Sequence, residues 1–503
     1  MARLSVARNH RQVQLDNQDM LLRNCFLGAG ATLACALVLA QALPREVDAA
    51  LIRAKVPRQA VSLLVVDAES KLPARLNHRA NVLMNPASVM KLVTTYAALD
   101  LLGPAYTWRT PVYVEGVVQG GTLFGNLYIK GQGDPKLAVE QLWLLLRRVL
   151  GLGIDKIAGD IVLDQSAFET EVADPASFDG EPLRPYNAAP DALLINFKSV
   201  VMTFVPDLGT NTAHVHFEPQ LSGVQMQPIV PLSNAPCGDY RAALKADFSD
   251  PMRITFAGTY PDACLEKVWS VAYADPKRFN ARAVAGLWHE MGGQLSGSVQ
   301  EGRIPALEPK FEMVSPPLAE AIRDINKYSN NLMAKQLFLT LSLPSQNHHS
   351  DDNRGSVEIA SNEATTASRA ASREIVRRWW RDRIGLEPAP LLDNGAGLSR
   401  DERISAQALA ELLQSAYHSP WMPELMASLP IVGVDGTLKR SRAESRGSAH
   451  LKTGSLRDVA ALAGYVQGAS GKYYVLVAIA NHPNANAARP AFDALLDWTV
   501  RDN

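Results

Sequence analysis

Apolar and polar positions along the chain fall into segments of two different periods. Leu92 to Leu102 is a run of helix formers that opens behind Asn85 and Pro86, a good N-cap followed by a residue suited to the first helical position. Gly103-Pro104 ends it. Leu318 to Ile325 and Leu332 to Leu341 are two more apolar helical stretches, separated by a short polar junction. Toward the C-terminus, Val459 to Val466 and Tyr473 to Ala480 carry alternating and β-branched residues around a turn at Ala469-Ser470-Gly471-Lys472, which predicts consecutive antiparallel strands. Between the first helix and the Leu318 stretch lie short alternating segments with Gly and Pro, such as Thr110 to Lys130 and Ala213 to Pro231, and these predict mostly β structure. No internal repeat of fixed period is present.

Three short motifs sit on these elements. In Asn85-Pro86-Ala87-Ser88-Val89-Met90-Lys91, Ser88 and Lys91 are one helical turn apart and face the same side. A Ser hydroxyl attacks poorly at its ordinary pKa and needs a base within hydrogen-bond reach. The first turn of a helix also turns free backbone N–H groups toward incoming negative charge. By itself the spacing equally describes a solvated Lys that happens to follow a Ser. The second motif, Ser-x-Asn, occurs at Ser329-Asn330-Asn331 and at Ser345-Gln346-Asn347. The first copy lies at the helix junction, able to project side chains into a cleft, and the second runs into a polar loop, so Ser329 and Asn331 are the candidates. The third motif is Lys452-Thr453-Gly454, ahead of the strand pair. There a Lys and a hydroxyl can hold a carboxylate, and the Gly leaves room for a substrate backbone.

In the order Ser-x-x-Lys, Ser-x-Asn, Lys-Thr-Gly, the chain resembles the penicillin-recognising serine enzymes. Four segments carry a closer resemblance, from about residue 50 to the C-terminus, to the D-alanyl-D-alanine carboxypeptidase and endopeptidase family typified by penicillin-binding protein 4. They are Asn85 to Thr95, Gly131-Gln132-Gly133-Asp134-Pro135, Asp393 to Arg400 and Leu429 to Leu438. The resemblance implies an α+β fold. Its serine transpeptidase/β-lactamase-like catalytic domain, an antiparallel sheet with helices on both sides, would use residues 50–105 and 306–503. Two mostly-β inserted domains would fill 106–305. Length points the same way, since Ser88 and Ser329 stand about 240 residues apart. Val61 to Ala68 and Leu72 to Asn77 would form a hairpin joined to the C-terminal strands.

The implied activity is that of a serine DD-peptidase. It would form an acyl-enzyme at Ser88 with D-Ala-D-Ala stem peptides of peptidoglycan and hydrolyse it, with no cofactor. A β-lactam, with its carboxylate and strained amide in the same geometry, would acylate Ser88. An ordinary Lys has a pKa near 10.4, so making Lys91 a base at neutral pH requires about 4 kcal/mol of differential stabilisation. Burial and a second cation, Lys452, push that way. Ser329 would relay a proton to the departing amine, and Asn331 would hold the substrate peptide and orient Lys91. The backbone N–H groups of Ser88 and Ser455 would bind the oxyanion, and Lys452 and Thr453, beside Gly454, the terminal carboxylate. For the diamino acid of the stem peptide, Arg400 matches a family Arg, Asp164 and Phe168 are counterparts of an acid and an aromatic, and Arg457 replaces a Gln. A guanidinium at 457 can still pair with a carboxylate. A β-lactamase and a catalytically idle wall-binding protein are the rival readings. The large insertion weighs against the first, and intact Ser88, Lys91, Asn331 and Lys452 against the second.

Arg3, Arg8, Arg11 and Arg23 precede an uncharged stretch from Cys25 to Leu43, and Ala40-Gln41-Ala42 fits a small-residue cleavage site. Residues 1–42 therefore read as an export signal to the periplasm. An uncleaved membrane anchor is the alternative, because the run is just long enough to span a bilayer. Two cysteines remain after the leader, Cys237 and Cys264. An oxidising compartment favours joining them, and the resemblance implies a comparable pair. A net charge of −1, with no basic concentration after the leader, argues against a nucleic-acid surface. No metal is expected: His289-Glu290 lacks the second His of a zinc-protease motif, and His348-His349-Ser350-Asp351-Asp352 reads as a solvated loop.

Overall fold

The computed structural model describes residues 42–69, 72–170, 174–343 and 366–502. The leader, the Ser345–Asn347 copy of Ser-x-Asn and the His348–Asp352 run lie outside the described residues.

A five-stranded antiparallel sheet organises the part of the chain that carries the motifs. Its order is Leu76–His78, Val61–Asp67, Tyr473–Asn481, Val459–Gln467, Ala449–Leu456, so an N-terminal hairpin pairs with the C-terminal strands, as the resemblance implied. Successive side chains in a strand point to opposite faces, and here both faces are buried. Leu64, Val66, Ala461, Ala463, Val475 and Val477 meet the helices Lys91–Leu102, Leu318–Lys327, Asn331–Thr340 and Ala406–Tyr417 on one side. Leu63, Val65, Ala460, Leu462, Leu476 and Ala478 meet Arg45–Arg53 and Arg489–Val500 on the other. Double burial explains why Val459 to Val466 is apolar at nearly every position.

The helix Lys91–Leu102 is the innermost: every residue from Lys91 to Leu99 is buried. It stops at Gly103, whose φ of +78° suits a residue without Cβ.

The described residues of 109–314 build four further sheets around a core of their own. One joins Val299–Glu301, Ile161–Asp164, Leu127–Lys130, Arg109–Val114 and Phe311–Val314, and another joins Tyr260–Pro261, Ile229–Ser233, Thr212–Glu218, Ser199–Asp207 and Lys267–Ala272. The β character of 110–130 and 213–231 matches their alternating pattern. Two amphipathic helices, Val139–Leu150 and Phe279–Glu290, pack their apolar stripes into this core. Cys237 and Cys264 form a disulfide here, with Cα atoms 4.7 Å apart.

Candidate active site

Ser88 sits in a short 3-10 turn, Ala87–Met90, that runs directly into the innermost helix. Asn85 opens the turn: its side-chain oxygen accepts the Ala87 N–H at 2.8 Å, and its amide donates to the Ser399 carbonyl at 2.9 Å. Ala87 has a φ of +48°, left-handed and costly for a residue with a Cβ. Close packing from two sides holds it there. A Cβ on Gly454 would lie 2.4 Å from the Pro86 carbonyl oxygen, and one on Gly397 would lie 2.0 Å from the Ala87 oxygen. The Gly of Lys-Thr-Gly thus first makes room for the nucleophile's own turn, a need that the sequence reading had assigned to the substrate backbone.

Lys91 has no exposed surface because the helix it opens is enclosed. Its Nζ lies 3.0 Å from Ser88 Oγ and 2.5 Å from Asn331 Oδ1, and it also reaches the Ala396 carbonyl. Asn331 starts the helix Asn331–Thr340, whose N-cap Asn330 accepts the Met333 N–H at 3.0 Å. Ser329 precedes it with a φ of +56°, and that sharp junction turns the Ser hydroxyl toward the neighbouring strand. There Lys452, also fully buried, donates to Ser329 Oγ at 2.8 Å and to the Thr453 carbonyl at 2.9 Å. The Thr453 hydroxyl donates to Thr437 at 2.7 Å. An ion pair of 2.6 Å between buried Lys327 and half-buried Asp435 ties the Ser329 junction to the 429–438 segment. All three motifs meet in one cluster.

Burial is the main force pushing the Lys91 amine well below its ordinary range, and the charge of Lys452 adds to it, while Glu402 opposes. Burial brings Lys452 down to about 7. The sequence reading missed two members of this environment, the Ala396 carbonyl and Glu402. Glu402 lies in Arg400-Asp401-Glu402-Arg403, a charged run that reads as solvent-exposed, yet only 1% of its surface is accessible. The apolar Ile404 that follows is the one sequence sign that the segment turns inward.

Next to the cluster an open cavity of about 610 Å³ is bounded by Asn331, Ser455, Arg400, Arg457, Phe178 and Asp179. The Arg400 guanidinium lies 5.1 Å from the centre of the Phe178 ring. Asp179 accepts from the Tyr186 hydroxyl at 2.8 Å and the Asn187 amide at 2.7 Å. Burial pushes its carboxyl up, but these bonds outweigh that and hold it below the usual carboxylate range. Asp164 and Phe168, expected here from the resemblance, do not line the cavity. Phe168 packs with Leu339 and Ala367 and under Gly133, where a Cβ would meet its ring at 2.5 Å. The Asp164 carboxylate accepts the N–H groups of Ser166 at 2.9 Å and Ile304 at 3.2 Å. The fold uses both internally. The aromatic and the acid that line the cavity with Arg400 come instead from Ser177-Phe178-Asp179-Gly180, a turn sequence that carries no motif of its own.

The D-Ala-D-Ala carboxypeptidase 3 (S13) family matches residues 43–501. The chain belongs to that family. A D-alanyl-D-alanine carboxypeptidase of Actinomadura sp. (strain R39) is 27% identical over 403 residues, covering 77% of this chain and 71% of its own. The D-alanyl-D-alanine carboxypeptidase DacB of Haemophilus influenzae is 24% identical over 429 residues, covering 80% and 82%. The crystal structure of penicillin binding protein 4 (dacB) from Haemophilus influenzae has the same fold, with a TM-score of 0.68 at 22% identity over 90% of this chain and 99% of that one. The family and the α+β, transpeptidase-like fold class read from the motifs are those found, and membership makes the protein an enzyme of the D-Ala-D-Ala carboxypeptidase class.

Proposed function

We propose that this S13 enzyme is a periplasmic serine DD-peptidase in which Ser88 is the nucleophile and Lys91 its base. The observation that carries the reading is the Lys91 amine 3.0 Å from the Ser88 hydroxyl, out of water, with the Asn331 side-chain oxygen and the Ala396 carbonyl as its other neighbours. A neutral amine has two N–H groups and one lone pair. The two carbonyl oxygens take the N–H groups, and the lone pair is left for the Ser88 proton.

Oγ then attacks the carbonyl of the penultimate D-alanine. The oxyanion is held by the N–H groups of Ser88 and Ser455, each such donor worth roughly 3 to 4 kcal/mol. Lys452 and Thr453 bind the terminal carboxylate, and Ser329, bonded to Lys452, passes a proton to the leaving amine. Water hydrolyses the Ser88 ester. Phe178, Asp179, Arg400 and Arg457 bind the diamino acid of the stem peptide, the acid facing its ammonium and the guanidinium groups its carboxylate. The catalytic domain is taken as residues 50–105 and 306–503, with inserted domains between, a division supported by the separate apolar core of the intervening chain. The basic and then apolar leader supports export to the periplasm.

Incubation with a fluorescent penicillin tests the assignment. Stable labelling of the wild type that Ser88→Ala abolishes is expected. Rapid turnover of the label would indicate a β-lactamase, and an unlabelled wild type would overturn the assignment. Digestion of cross-linked muropeptide dimers reads the endopeptidase share directly, from the monomers released.

A further inference from the structure

Glu402 is a buried titratable group that the acyl-transfer steps leave unused. One carboxylate oxygen accepts the backbone N–H groups of Asp393 and Asn394 at 3.1 and 3.2 Å, and the other is buried with no hydrogen-bond partner among the described residues. Proteins rarely leave a carboxylate oxygen unpaired in a dry interior, because the lost solvation is not recovered. The loop it grips leads to the base. Asn394 accepts the Ala396 N–H at 3.0 Å and donates to the Leu398 carbonyl at 3.0 Å. The Ala396 carbonyl accepts from Lys91, and the adjoining Gly395 carbonyl accepts from the Thr94 hydroxyl at 2.7 Å.

We propose that Glu402 is a positioning residue for Lys91: it clamps the Asp393–Ala396 loop so that the Ala396 carbonyl takes a Lys91 N–H, and its negative charge offsets the field of Lys452 at the amine. The inference rests on Lys91 being the base. Burial and Lys452 both drive the proton off Lys91, and a base made too weak accepts the Ser88 proton poorly. A carboxylate nearby restores proton affinity. The coupling is mutual, since Glu402 raises Lys91 and Lys91 lowers Glu402, whose carboxyl stands raised to about 7 with burial as the largest cause. Other charges face the pair. Asp393 is among the groups that raise Glu402 and is itself 3.6 and 3.7 Å from Arg369 and Arg373, while Lys335 lowers Lys91. Two groups coupled in this way titrate together.

The test is the second-order rate constant for acylation by a fluorescent penicillin, followed across roughly pH 5 to 9, in wild type, Glu402→Gln and Asn394→Ala. Gln keeps an acceptor for both N–H groups but carries no charge. Its plateau rate should fall roughly three- to tenfold, and its acid limb should move to lower pH by about half a unit or more. Asn394→Ala loosens the loop with the charge intact, so its rate should fall with the acid limb in place. An acid limb in Glu402→Gln that coincides with wild type overturns the proposal. A wild type that takes no label at all strikes the Ser88–Lys91 assignment beneath it. If Glu402→Gln does not fold, isotope-edited infrared titration of Glu402 in wild type and in Lys91→Met answers the same question. Linkage requires reciprocity, so without Lys91 the carboxyl should keep its proton to higher pH, and an unchanged titration overturns the proposal.

Discussion

Two adjoining halves of the cleft hold cations in opposite ways. Lys91 and Lys452 have no exposed surface and are enclosed by backbone carbonyls, hydroxyls and close-packed glycines. Arg400 and Arg457 stand exposed around an open cavity that Phe178 and Asp179 also line. The difference follows from chemistry. An ammonium gives up its proton when desolvated, so a dry pocket turns lysine into a base, whereas a guanidinium stays charged and suits recognition in water. The proposed function accordingly puts bond making in the dry half and substrate choice in the wet half.

Removing the base is the hardest test of that division. Lys91→Met should lower the acylation rate by penicillin roughly 10²- to 10⁴-fold, the range for a general base, and a loss under tenfold in labelling time courses would contradict the role. The variant should fold at least as well as wild type, because an apolar side chain replaces a buried amine.

A second test uses Glu402 as a gauge of dryness. With a folded-state pKa raised to about 7, the acid form contributes stability that is fully present below its unfolded value and is lost as pH rises through about 7. Glu402→Gln is neutral throughout. Its stability relative to wild type should therefore grow by about 2 to 3 kcal/mol between roughly pH 5 and pH 8. Urea unfolding at both values measures it, and equal differences at the two would mean that the carboxylate is solvated.

The smallest effect belongs to the wet half. Arg400→Ala should reduce kcat/KM on a stem peptide roughly 10- to 100-fold through KM, while penicillin acylation changes by less than about threefold. Equal losses on both substrates would merge the two halves into one functional unit.

Much of the Ser88–Lys91–Lys452 cluster was legible because its elements are local. Ser88 and Lys91 share a helical turn, Ser329 and Asn331 a helix junction, and Lys452 to Gly454 one strand end, so spacing alone places each pair together. The lining of the open cavity was not. Phe168 and Asp164 have the right side chains, but one fills the space beneath Gly133 and the other holds the N–H groups of Ser166 and Ile304. Residue type cannot tell an aromatic that lines a cavity from one that fills a core. Glu402 escaped notice for a related reason: four consecutive charged residues look solvated in a linear chain, and only the loop's path turns one of them inward.

The sequence by itself determined the family, the order of the three motifs, the residues of the cluster and the antiparallel strands at the C-terminus. Tertiary structure decided which acid and aromatic stand beside Arg400, and how strongly the Lys91 amine is driven to release its proton. Lys91 is buried by the closing of the helices on the sheet, and the same closure brings it the charge of Lys452 and the acceptors of Asn331 and Ala396, all hundreds of positions away along the chain.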